Sequence, residues 1–260
     1  MSQHPYSNAL ADLPLGEIRY LTVTGSTNQD ASHWASEGAP HLAMVIADEQ
    51  TAGRGRLSRR WLTPPGAALA VSLVLRPSNI ANLGAKVGRI SGLGGLAVCQ
   101  ALQETLNLYA QLKWPNDVLV NGRKVCGVLA EAIWLGDDLL AVILGIGVNV
   151  TKTSVPSPSE LTFPATCLEE ELGHPVQRPE LLRAILCRIL TWIHRLEDPA
   201  LLQAWEERLA WRGEWVQVNT PSETIQGRLL GLDPEGALRL VESDGVERLV
   251  LAGDVSLRLQ

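Results

Sequence analysis

Residues Gln50 to Trp61 read Gln-Thr-Ala-Gly-Arg-Gly-Arg-Leu-Ser-Arg-Arg-Trp, which is the most specific segment of the chain. Two glycines and four arginines fall within eight residues: Gly53, Arg54, Gly55, Arg56, Arg59 and Arg60. Glycine lets a backbone approach a ligand closely, and arginine guanidinium groups match the geometry of carboxylate and phosphate. The segment therefore predicts an anion-binding loop, with a solvated basic surface loop as the alternative.

The overall composition is that of a soluble globular protein. The chain has 260 residues, 46% of them hydrophobic, and a formal net charge of −6. A chain of this length accommodates one large domain, or a large domain and a small one. The acidic charge argues against general nucleic-acid binding, and the longest apolar run, Leu139 to Val148, is too short to span a bilayer. We expect neither a nucleic-acid nor a membrane partner.

Cysteine usage and the first residues indicate a cytoplasmic location. The cysteines are widely separated and form no Cys-x-x-Cys pair: Cys99, Cys126, Cys167 and Cys187. This spacing fits neither a zinc site nor a disulfide framework, and it suits a reducing compartment. The opening Met-Ser-Gln-His-Pro-Tyr lacks the basic and apolar regions of a signal peptide.

Hydrophobic periodicity predicts a mixed α/β region up to about residue 212. The predicted helices run from Ser26 to near Gly38, from Ala85 to Leu106, from Pro179 to Leu196, and onward from an N-cap at Asp198. The predicted strands are Ala43–Ala47, Leu69–Leu75 and Leu139–Gly147. Ser26 followed by Gln29 fits a capping box, and Gly38 fits a helix C-cap.

From Glu214 onward the pattern changes to short alternating strands separated by turn residues. Their predicted ranges are Trp215–Val218, Ile225–Leu232, Ala237–Val241, Glu247–Leu251 and Val255–Leu259. Several short strands with regular turns predict a small barrel or sandwich. We therefore divide the chain into an α/β domain over residues 1–212 and a β domain over residues 213–260.

The Asn121-Gly122 dipeptide is the strongest short-range signal for a two-residue type I′ hairpin. It joins predicted strands at Asp117–Val120 and Arg123–Glu131. Strict alternation puts one set of residues on the same face: Asp117, Leu119, Lys124, Cys126 and Val128. Asp117 and Lys124 are then diagonal neighbours, close enough for the lysine side chain to reach the carboxylate.

Three polar segments have a chemical and a structural interpretation. Lys113-Trp-Pro-Asn-Asp117 is either a core tryptophan with a turn or a source of groups near a nucleotide and its Mg²⁺. Lys124 either extends to the sheet edge or, held by an aspartate, stabilises charge on a carboxylate that attacks phosphorus. Ser26-Thr27-Asn28 either caps a helix or offers the free N–H groups of the helix start to a ligand.

Taken in order, these motifs resemble those of the biotin–protein ligases, also called biotin–[acetyl-CoA-carboxylase] ligases or holocarboxylase synthetases. The motifs are Ser26–Gln29, Gln50–Trp61, Lys113–Asp117, Arg123–Lys124 with Gly127, and Gly145–Asn149. The resemblance implies an α+β fold with a mixed, largely antiparallel sheet and flanking helices, which is a class II synthetase-like catalytic domain. It also implies that the C-terminal β domain is a small SH3-like β-barrel.

The same resemblance implies an ATP-dependent enzyme that works in two steps. Biotin and Mg·ATP give biotinyl-5′-AMP and pyrophosphate, and the biotinyl group then passes to a lysine of a biotin carboxyl carrier protein. A homodimer is a further possibility within this family. Its members include a form without an N-terminal DNA-binding domain, and about twenty residues before the first motif make that form the expectation here.

The resemblance also assigns roles to particular positions. The implied biotin contacts are Ser26, Thr27, Asn28, Gln50, Gly53, Arg54, Gly55, Arg56 and Lys124. The implied ATP contacts are Arg54, Arg56, Trp61, Asn116, Asp117 and Asn149, with Asp117 also expected at the metal. Lys124, Arg54 and Arg56 are expected to be catalytic. Trp61 is expected to pack against adenine or to anchor the end of the loop.

Two alternative functions remain at this stage. A lipoate or octanoyl ligase or transferase shares the implied fold, but such proteins usually carry an Arg-Arg-x-x-Gly-Gly-Gly segment that this sequence lacks. A non-catalytic biotin-sensing regulator is the second alternative. It would have no need of Lys124.

Overall fold

The computed structural model describes residues 4–257, which form two β-sheets with helices packed mainly on the larger one. The helices in this range are α1 (Ser7–Leu10), α2 (Thr27–Ser36), α3 (Val87–Leu106), α4 (Leu168–Leu172), α5 (Arg178–Trp192) and α6 (Pro199–Glu207). The strands of the larger sheet are β1 (Ile18–Thr24), β2 (Met44–Gln50), β3 (Ala68–Leu75), β4 (Gln111–Lys113), β5 (Asp117–Val120), β6 (Arg123–Leu135) and β7 (Asp138–Asn149). Those of the smaller sheet are β8 (Trp215–Asn219), β9 (Thr224–Leu232), β10 (Leu238–Val241), β11 (Glu247–Val250) and β12 (Asp254–Leu257).

The larger sheet is mixed and largely antiparallel, as the family resemblance implied. Its strand order is β1-β2-β3-β7-β6-β5-β4. The β1–β2 pair is parallel. The other five neighbouring pairs in this sheet are antiparallel: β2–β3, β3–β7, β7–β6, β6–β5 and β5–β4. The long central strands β3 and β7 are buried along almost their whole length, which explains their nearly continuous apolar sequences.

The two faces of this sheet have different coverings. On one face α3 packs over the even-numbered residues of β7, whose side chains belong to the main hydrophobic core, and α5 packs against α3 and β3. On the other face α2 packs against a smaller cluster that includes Val45, Val74 and Ile143. Because α2 is only ten residues long, it covers only part of this second face. The remainder carries the small and polar residues described below.

The glycines of α3 allow the helix to pack closely on the sheet. A Cβ at Gly94 would lie 2.9 Å from Val128 of β6, and one at Gly95 would lie 2.4 Å from Leu112 of β4. Without these glycines, α3 would have to move away from the sheet. The cost of glycine in a helix, about 1 kcal/mol per residue relative to alanine, is therefore offset by packing.

The hairpin turn is as predicted, but the strand register beyond it is not. Asn121 and Gly122 both have positive φ angles, as a type I′ turn requires. A β-bulge in β6 then leaves Val125 without a partner in β5. Asp117 therefore pairs with Gly127, whereas a regular hairpin would pair it with Cys126.

The bulge makes the predicted face wrong at two positions. Cys126 and Val128 belong to the core under α3 and do not share a face with Lys124. Gly127 takes the position beside Lys124 and Asp117 instead. The predicted proximity of Asp117 and Lys124 is nevertheless confirmed, because their side-chain atoms Oδ1 and Nζ lie 2.6 Å apart.

Other boundaries differ from the predictions in ways that have local causes. Helix α2 begins at Thr27, and the Ser26 side chain makes no capping hydrogen bond, so the predicted capping box is wrong. Gly38, with φ of +99°, follows the helix end as predicted. Strands β1 and β4 gave no recognisable sequence pattern, since both lie at sheet edges and are short or half-exposed. The Asp198 cap of α6 is confirmed, because its carboxylate accepts from Ala200 N–H (2.9 Å).

The smaller sheet is antiparallel throughout, in the order β11-β10-β9-β8-β12. Its strands match the five predicted ones within about two residues, although the predicted end at Leu259 lies outside the described residues. The division at residue 212 stays a prediction. The two sheets are in contact, for Trp114 Nε1 donates to Gly236 O (3.0 Å) and Lys113 forms an ion pair with Asp254.

Between residues 4 and 257, no helix is both long enough and apolar enough to cross a membrane.

Candidate active site

A cavity of about 550 Å³ lies on the half of the sheet face that α2 leaves uncovered. Its floor is formed by β3, β6 and β7, and its walls by the Arg-rich loop, the segment 154–165 and the start of β12. The even-numbered residues of β7 point into the core on the other face, so its odd-numbered residues form this floor. Two of these floor residues are glycines, and each leaves room for a large side chain.

Gly145 and Gly147 accept two side chains from elsewhere in the chain. A Cβ at Gly145 would lie 2.0 Å from Asn28 Oδ1, and one at Gly147 would lie 2.5 Å from the indole of Trp61. Any other residue at these two positions would displace Asn28 and Trp61. The two glycines of the motif Gly145-Ile-Gly-Val-Asn149 therefore shape the site because they have no Cβ atom, which leaves room for Asn28 and Trp61.

One end of the cavity carries neutral hydrogen-bonding groups. Gln50 Oε1 accepts from Thr27 N–H (2.9 Å) and from Thr27 Oγ1 (3.1 Å), and Gln50 Nε2 donates to Thr63 Oγ1 (2.9 Å). The buried Ser72 hydroxyl lies 2.9 Å from Thr27 Oγ1 and 2.6 Å from Asn28 Oδ1. These contacts fix the orientations of Thr27 and Asn28 at the floor.

The other end carries two lysines and two carboxylates. Lys124 Nζ lies 2.6 Å from Asp117 Oδ1, and Lys113 Nζ lies 3.6 Å from Asp117 Oδ2. Lys113 also pairs with Asp254 of β12, which in turn pairs with Arg59 (2.8 Å). Burial alone raises the pKa of the Asp254 carboxyl, but hydrogen bonds and charge from Lys113 and Arg59 outweigh it and lower the pKa.

The Arg-rich loop is held as a short, irregular hairpin over the cavity. Trp61 N–H donates to Gly53 O (2.9 Å), and Gly55 N–H donates to Arg59 O (2.7 Å). A Cβ at Gly53 would lie 2.4 Å from Trp61 O, so glycine is needed there for the two loop strands to approach. Leu57 at the loop tip has a positive φ of 55° and is 68% exposed.

Besides the Arg59–Asp254 pair, Arg54 and Arg56 of the loop contact three further residues. Arg54 Nη2 lies 3.0 Å from Glu131 Oε2 of β6. Arg56 Nη1 donates to Asn116 Oδ1 (3.2 Å) and to Gly253 O (3.3 Å). Burial lowers the pKa of the Arg56 guanidinium, and the carboxylates of Asp117 and Asp254 oppose this shift. The loop is therefore connected both to the sheet and to the C-terminal module.

The side chain of Trp61 lies over the cavity floor. Its ring lies against Gly127 and Gly147, and Lys124 Nζ is 5.5 Å from the ring centroid. This position anchors the end of the loop, which is one of the two roles expected for Trp61. The indole Nε1 is buried without a hydrogen-bond partner.

The structure brings nearly all of the sequence-predicted residues to one cavity. Those that line it are Ser26, Thr27, Asn28, Gln50, Arg54, Gly55, Arg56, Trp61, Asn116, Asp117, Lys124 and Asn149. Gly53 does not line it and instead faces a groove on the outer side of the loop. Asn149 Nδ2 is engaged with Thr166 O (3.0 Å), so this amide also fixes the segment that closes the cavity.

Five further residues shape the site without having been predicted from the sequence: Ser72, Lys113, Glu131, Phe163 and Asp254. Ser72 had a signal, since it is the one polar residue in an otherwise apolar strand. Lys113 lay within a quoted motif but was given no role. Glu131, Phe163 and Asp254 come from distant segments, and only the fold brings them to the site.

The side chains present do not form a resident metal site. Among residues 4–257, no group of three or more His, Cys, Asp or Glu side chains is placed to hold a metal ion. Both carboxylate oxygens of Asp117 contact lysine ammonium groups. This geometry does not favour the expected role of Asp117 as a metal ligand.

Comparison with known proteins agrees with this architecture. Residues 20–149 match the model of the biotin/lipoate A/B protein ligase family, and residues 213–258 match that of the biotin protein ligase C-terminal domain. The chain belongs to the biotin/lipoate A/B protein ligase family. This assignment confirms the family and the fold class inferred from the sequence.

Individual relatives cover most of the chain. The bifunctional ligase/repressor BirA of Bacillus subtilis is 34% identical over 244 residues, which are 92% of this chain and 73% of the relative. The biotin–[acetyl-CoA-carboxylase] ligase of Paracoccus denitrificans is 37% identical over 226 residues, which are 85% of this chain and 92% of the relative. The biotin protein ligase of Aquifex aeolicus in complex with biotin and ATP superposes with a TM-score of 0.78 at 32% identity, covering 94% and 99% of the two chains.

Proposed function

We propose that this member of the ligase family is a biotin–protein ligase. It activates biotin with Mg·ATP to biotinyl-5′-AMP and transfers biotin to a lysine of a biotin carboxyl carrier protein. The observation that carries the proposal is that the cavity has a neutral end and a cationic end. A neutral hydrogen-bonding end at Thr27 and Asn28 continues into a cationic end at Lys124 and Arg56.

The neutral end favours biotin over the acids of the alternative functions. The ureido group of biotin has both N–H donors and a carbonyl acceptor, which suit the hydroxyl group of Thr27 and the amide group of Asn28 at the cavity floor. Lipoate and octanoate have no such groups at the far end of the molecule. They would leave buried polar groups without partners, which a site built for hydrogen bonding rejects strongly. Two of the proteins named above, those of Paracoccus denitrificans and Aquifex aeolicus, are biotin ligases.

The cationic end suits the first chemical step. A carboxylate oxygen of biotin attacks the α-phosphorus of ATP, the bond from that phosphorus to the bridging oxygen breaks, and pyrophosphate leaves. Lys124, oriented by Asp117 at 2.6 Å, is placed to stabilise the negative charge on the reacting oxygens. Arg56 is a second cation beside it, held by Asn116. Mg²⁺ enters with ATP as part of the substrate.

The second step requires access for a protein and exclusion of water. The amine of the acceptor lysine attacks the acyl carbon, AMP leaves with the bonding electrons, and the amine loses a proton. Because an acyl-adenylate hydrolyses readily, a loop that covers the cavity protects the intermediate. The segment Gly53–Arg60 has the position and charge for this role. Phe163 and Trp61 are the aromatic rings available in the cavity for the adenine.

The setting of the enzyme follows from the same proposal. We place it in the cytoplasm, where its cysteines stay reduced; Cys99, Cys126, Cys167 and Cys187 are all free thiols. A homodimer is part of the proposal, because β5 pairs with β6 only as far as Gly127 and leaves an edge of β6 available. Sedimentation at micromolar concentration tests this point directly.

The activity is tested by exchange of labelled pyrophosphate into ATP. We expect exchange that depends on biotin and Mg²⁺, followed by labelling of one lysine in a carrier domain. Lipoate and octanoate at equal concentration serve as matched controls. Faster exchange with either of these acids would overturn the assignment of substrate, and absence of exchange with all three would overturn the proposed activity.

A further inference from the structure

Glu131 of β6 lies at the junction between the neutral end of the cavity and the Arg-rich loop. Asn28 Nδ2 donates to Glu131 Oε2 (2.7 Å), and the same oxygen lies 3.0 Å from Arg54 Nη2. The other carboxylate oxygen also accepts from Arg54 Nη2 (3.2 Å). Among the described residues, Glu131 is the side chain that contacts both Asn28 and a loop arginine.

On one side, Glu131 fixes which way the Asn28 amide faces. A carboxylate only accepts hydrogen bonds, so the Asn28 amide must direct Nδ2 toward it. Leu129 O also accepts from Nδ2 (3.3 Å), and Ser72 donates to Oδ1 (2.6 Å). Asn28 lines the cavity, its Oδ1 lies over Gly145 of the floor, and the hydrogen bond from Ser72 uses only one of the two lone pairs of this oxygen. Asn28 is thereby set to accept a hydrogen bond from a ligand N–H group.

On the other side, Glu131 supplies the counter-charge for Arg54. Arg56 and Arg59 of the loop contact other residues: Arg59 pairs with Asp254, and Arg56 contacts Asn116 and Gly253. Neither of these contacts touches the neutral end of the cavity. Arg54 is therefore the loop arginine whose position can depend on what occupies that end.

We infer that Glu131 is a positioning residue that couples ligand binding at the neutral end of the cavity to closure of the Arg-rich loop. A ligand bound at Asn28 immobilises the amide, and the amide in turn holds the Glu131 carboxylate in the orientation that Arg54 requires. Arg54 then pays less ordering entropy when the loop closes. The inference rests on the proposed function in taking biotin as the ligand at the neutral end of the cavity.

Glu131→Gln separates the two contacts. The glutamine carbonyl still accepts from Asn28 Nδ2, whereas its neutral amide no longer pairs with Arg54. Asp137→Asn is the matched control, because it removes one carboxylate from the exposed turn of the same β6–β7 hairpin. Trypsin cleavage between Arg54 and Arg60 is followed with and without saturating biotin, and biotin affinity is measured by calorimetry.

Biotin should lengthen the trypsin half-life of the loop at least about threefold in the wild type and in Asp137→Asn. In Glu131→Gln we expect little or no lengthening at saturating biotin, with a melting temperature close to that of the wild type. Wild-type protection in Glu131→Gln would overturn the inference, and so would wild-type protein that binds biotin without any protection of its loop. Wild-type protein that does not bind biotin would instead overturn the proposed function.

A double-mutant cycle tests the same coupling from the loop side and does not depend on the protease. Arg54→Met is combined with Glu131→Gln, and the Kd for biotin is measured for all four proteins. Coupled residues give non-additive effects. The factor by which Arg54→Met raises the Kd for biotin should therefore be at least about threefold smaller in the Glu131→Gln background than in the wild type. Equal effects in both backgrounds would show that Glu131 does not transmit the coupling.

Discussion

At the scale of single residues, the site depends as much on positions where glycine has no side chain as on the side chains that line the cavity. Gly145 makes room for Asn28, and Gly147 makes room for Trp61. Asn28 in turn uses its donor and acceptor toward Glu131 and Ser72. Recognition at the neutral end is therefore a property of a packed cluster, in which each group fixes the next.

Gly145→Ala tests that packing. The new Cβ would lie 2.0 Å from Asn28 Oδ1, so the amide has to turn and lose its hydrogen bond from Ser72. Since a misplaced hydrogen-bonding group costs about 1–3 kcal/mol, we expect the KM for biotin to rise at least about tenfold. The KM for ATP should change much less.

The control for this substitution is Gly88→Ala on the exposed side of α3. A Cβ there meets only Glu235 O at 4.0 Å, and alanine is the better helix former. Gly88→Ala should therefore leave both KM values unchanged and keep or raise the melting temperature. An unchanged biotin KM in Gly145→Ala would contradict the role given to Asn28.

Lys124→Met tests the cationic end. Methionine keeps much of the aliphatic length, so the fold should survive, but Asp117 loses its 2.6 Å partner and the reacting oxygens lose a positive charge. Removing one such preorganised group typically lowers the rate about 10²–10³-fold. We expect pyrophosphate exchange to fall by at least that factor. The matched control is Lys152→Met, which changes an exposed lysine outside the cavity. Normal pyrophosphate exchange in Lys124→Met would show that Lys124 has only a structural role.

The Asp117–Lys124 pair also shows what the sequence can and cannot supply at this scale. The turn at Asn121-Gly122 was enough to predict that the two side chains meet. Ser72 was detectable as a polar residue in an apolar strand. Glu131 and Asp254 were not, because their partners lie 103 and 141 residues away and no local pattern encodes such a contact.

At the scale of elements, periodicity identified long, buried segments and failed at short or edge ones. Strands β3 and β7 and helix α3 followed from apolar patterns. The β-bulge in β6 could not be predicted, because alternation has no signal for one extra residue. That bulge reverses the face of Cys126 and Val128, which puts them in the core and leaves Gly127 at the site.

The Arg-rich loop is the element whose behaviour is most open to measurement. Its arginines repel one another, and Gly53 and Gly55 carry a high ordering entropy. We expect trypsin to cut the ligand-free loop early, more slowly with biotin, and most slowly with biotin plus ATP. The reason is that the adenylate phosphate adds a partner for the guanidinium groups.

Cleavage sites outside the loop provide the internal control, because their rates should not depend on the ligand. Arg54→Ala should release the adenylate into solution, where it labels exposed lysines of bystander proteins. If the ligand-free, biotin-bound and adenylate-bound forms were all cut at one rate, the loop would be only a basic surface.

At the scale of the whole molecule, the C-terminal module completes the cavity wall. Gly253 O accepts from Arg56, and Asp254 pairs with both Lys113 and Arg59. Trp114 also donates to Gly236 O across the same boundary. The sequence predicted this module and its strands but gave no sign that it reaches the site. The contact needs both sheets to be folded and docked, and no single segment contains it.

Docking of the module should depend on pH through Asp254. The pKa of this carboxyl is lowered in the folded protein, because Lys113 and Arg59 outweigh the opposing effect of burial. A group whose pKa is lower in the folded state stabilises that state above its unfolded pKa, and this contribution is lost as the pH falls through the folded value. For aspartate, with an ordinary pKa of about 3.9, the loss begins near pH 4 and continues below it.

Asp254→Asn should therefore destabilise the protein near neutral pH, and this loss of stability should become smaller as the pH falls. Near pH 7 the substitution leaves buried Lys113 with Asp117 as its remaining carboxylate partner at 3.6 Å, which we expect to cost about 1–3 kcal/mol. Thermal unfolding of wild type and Asp254→Asn is compared at steps from pH 7 to pH 3, with Asp137→Asn again as the exposed control. The difference in melting temperature should be largest at pH 6–7 and shrink as the pH falls below about 4, since the wild-type carboxyl is then protonated as well. A difference that is constant over this range would mean that Asp254 acts through its shape and neutral hydrogen bonds, and that the charges of Lys113 and Arg59 do not hold the module against the sheet.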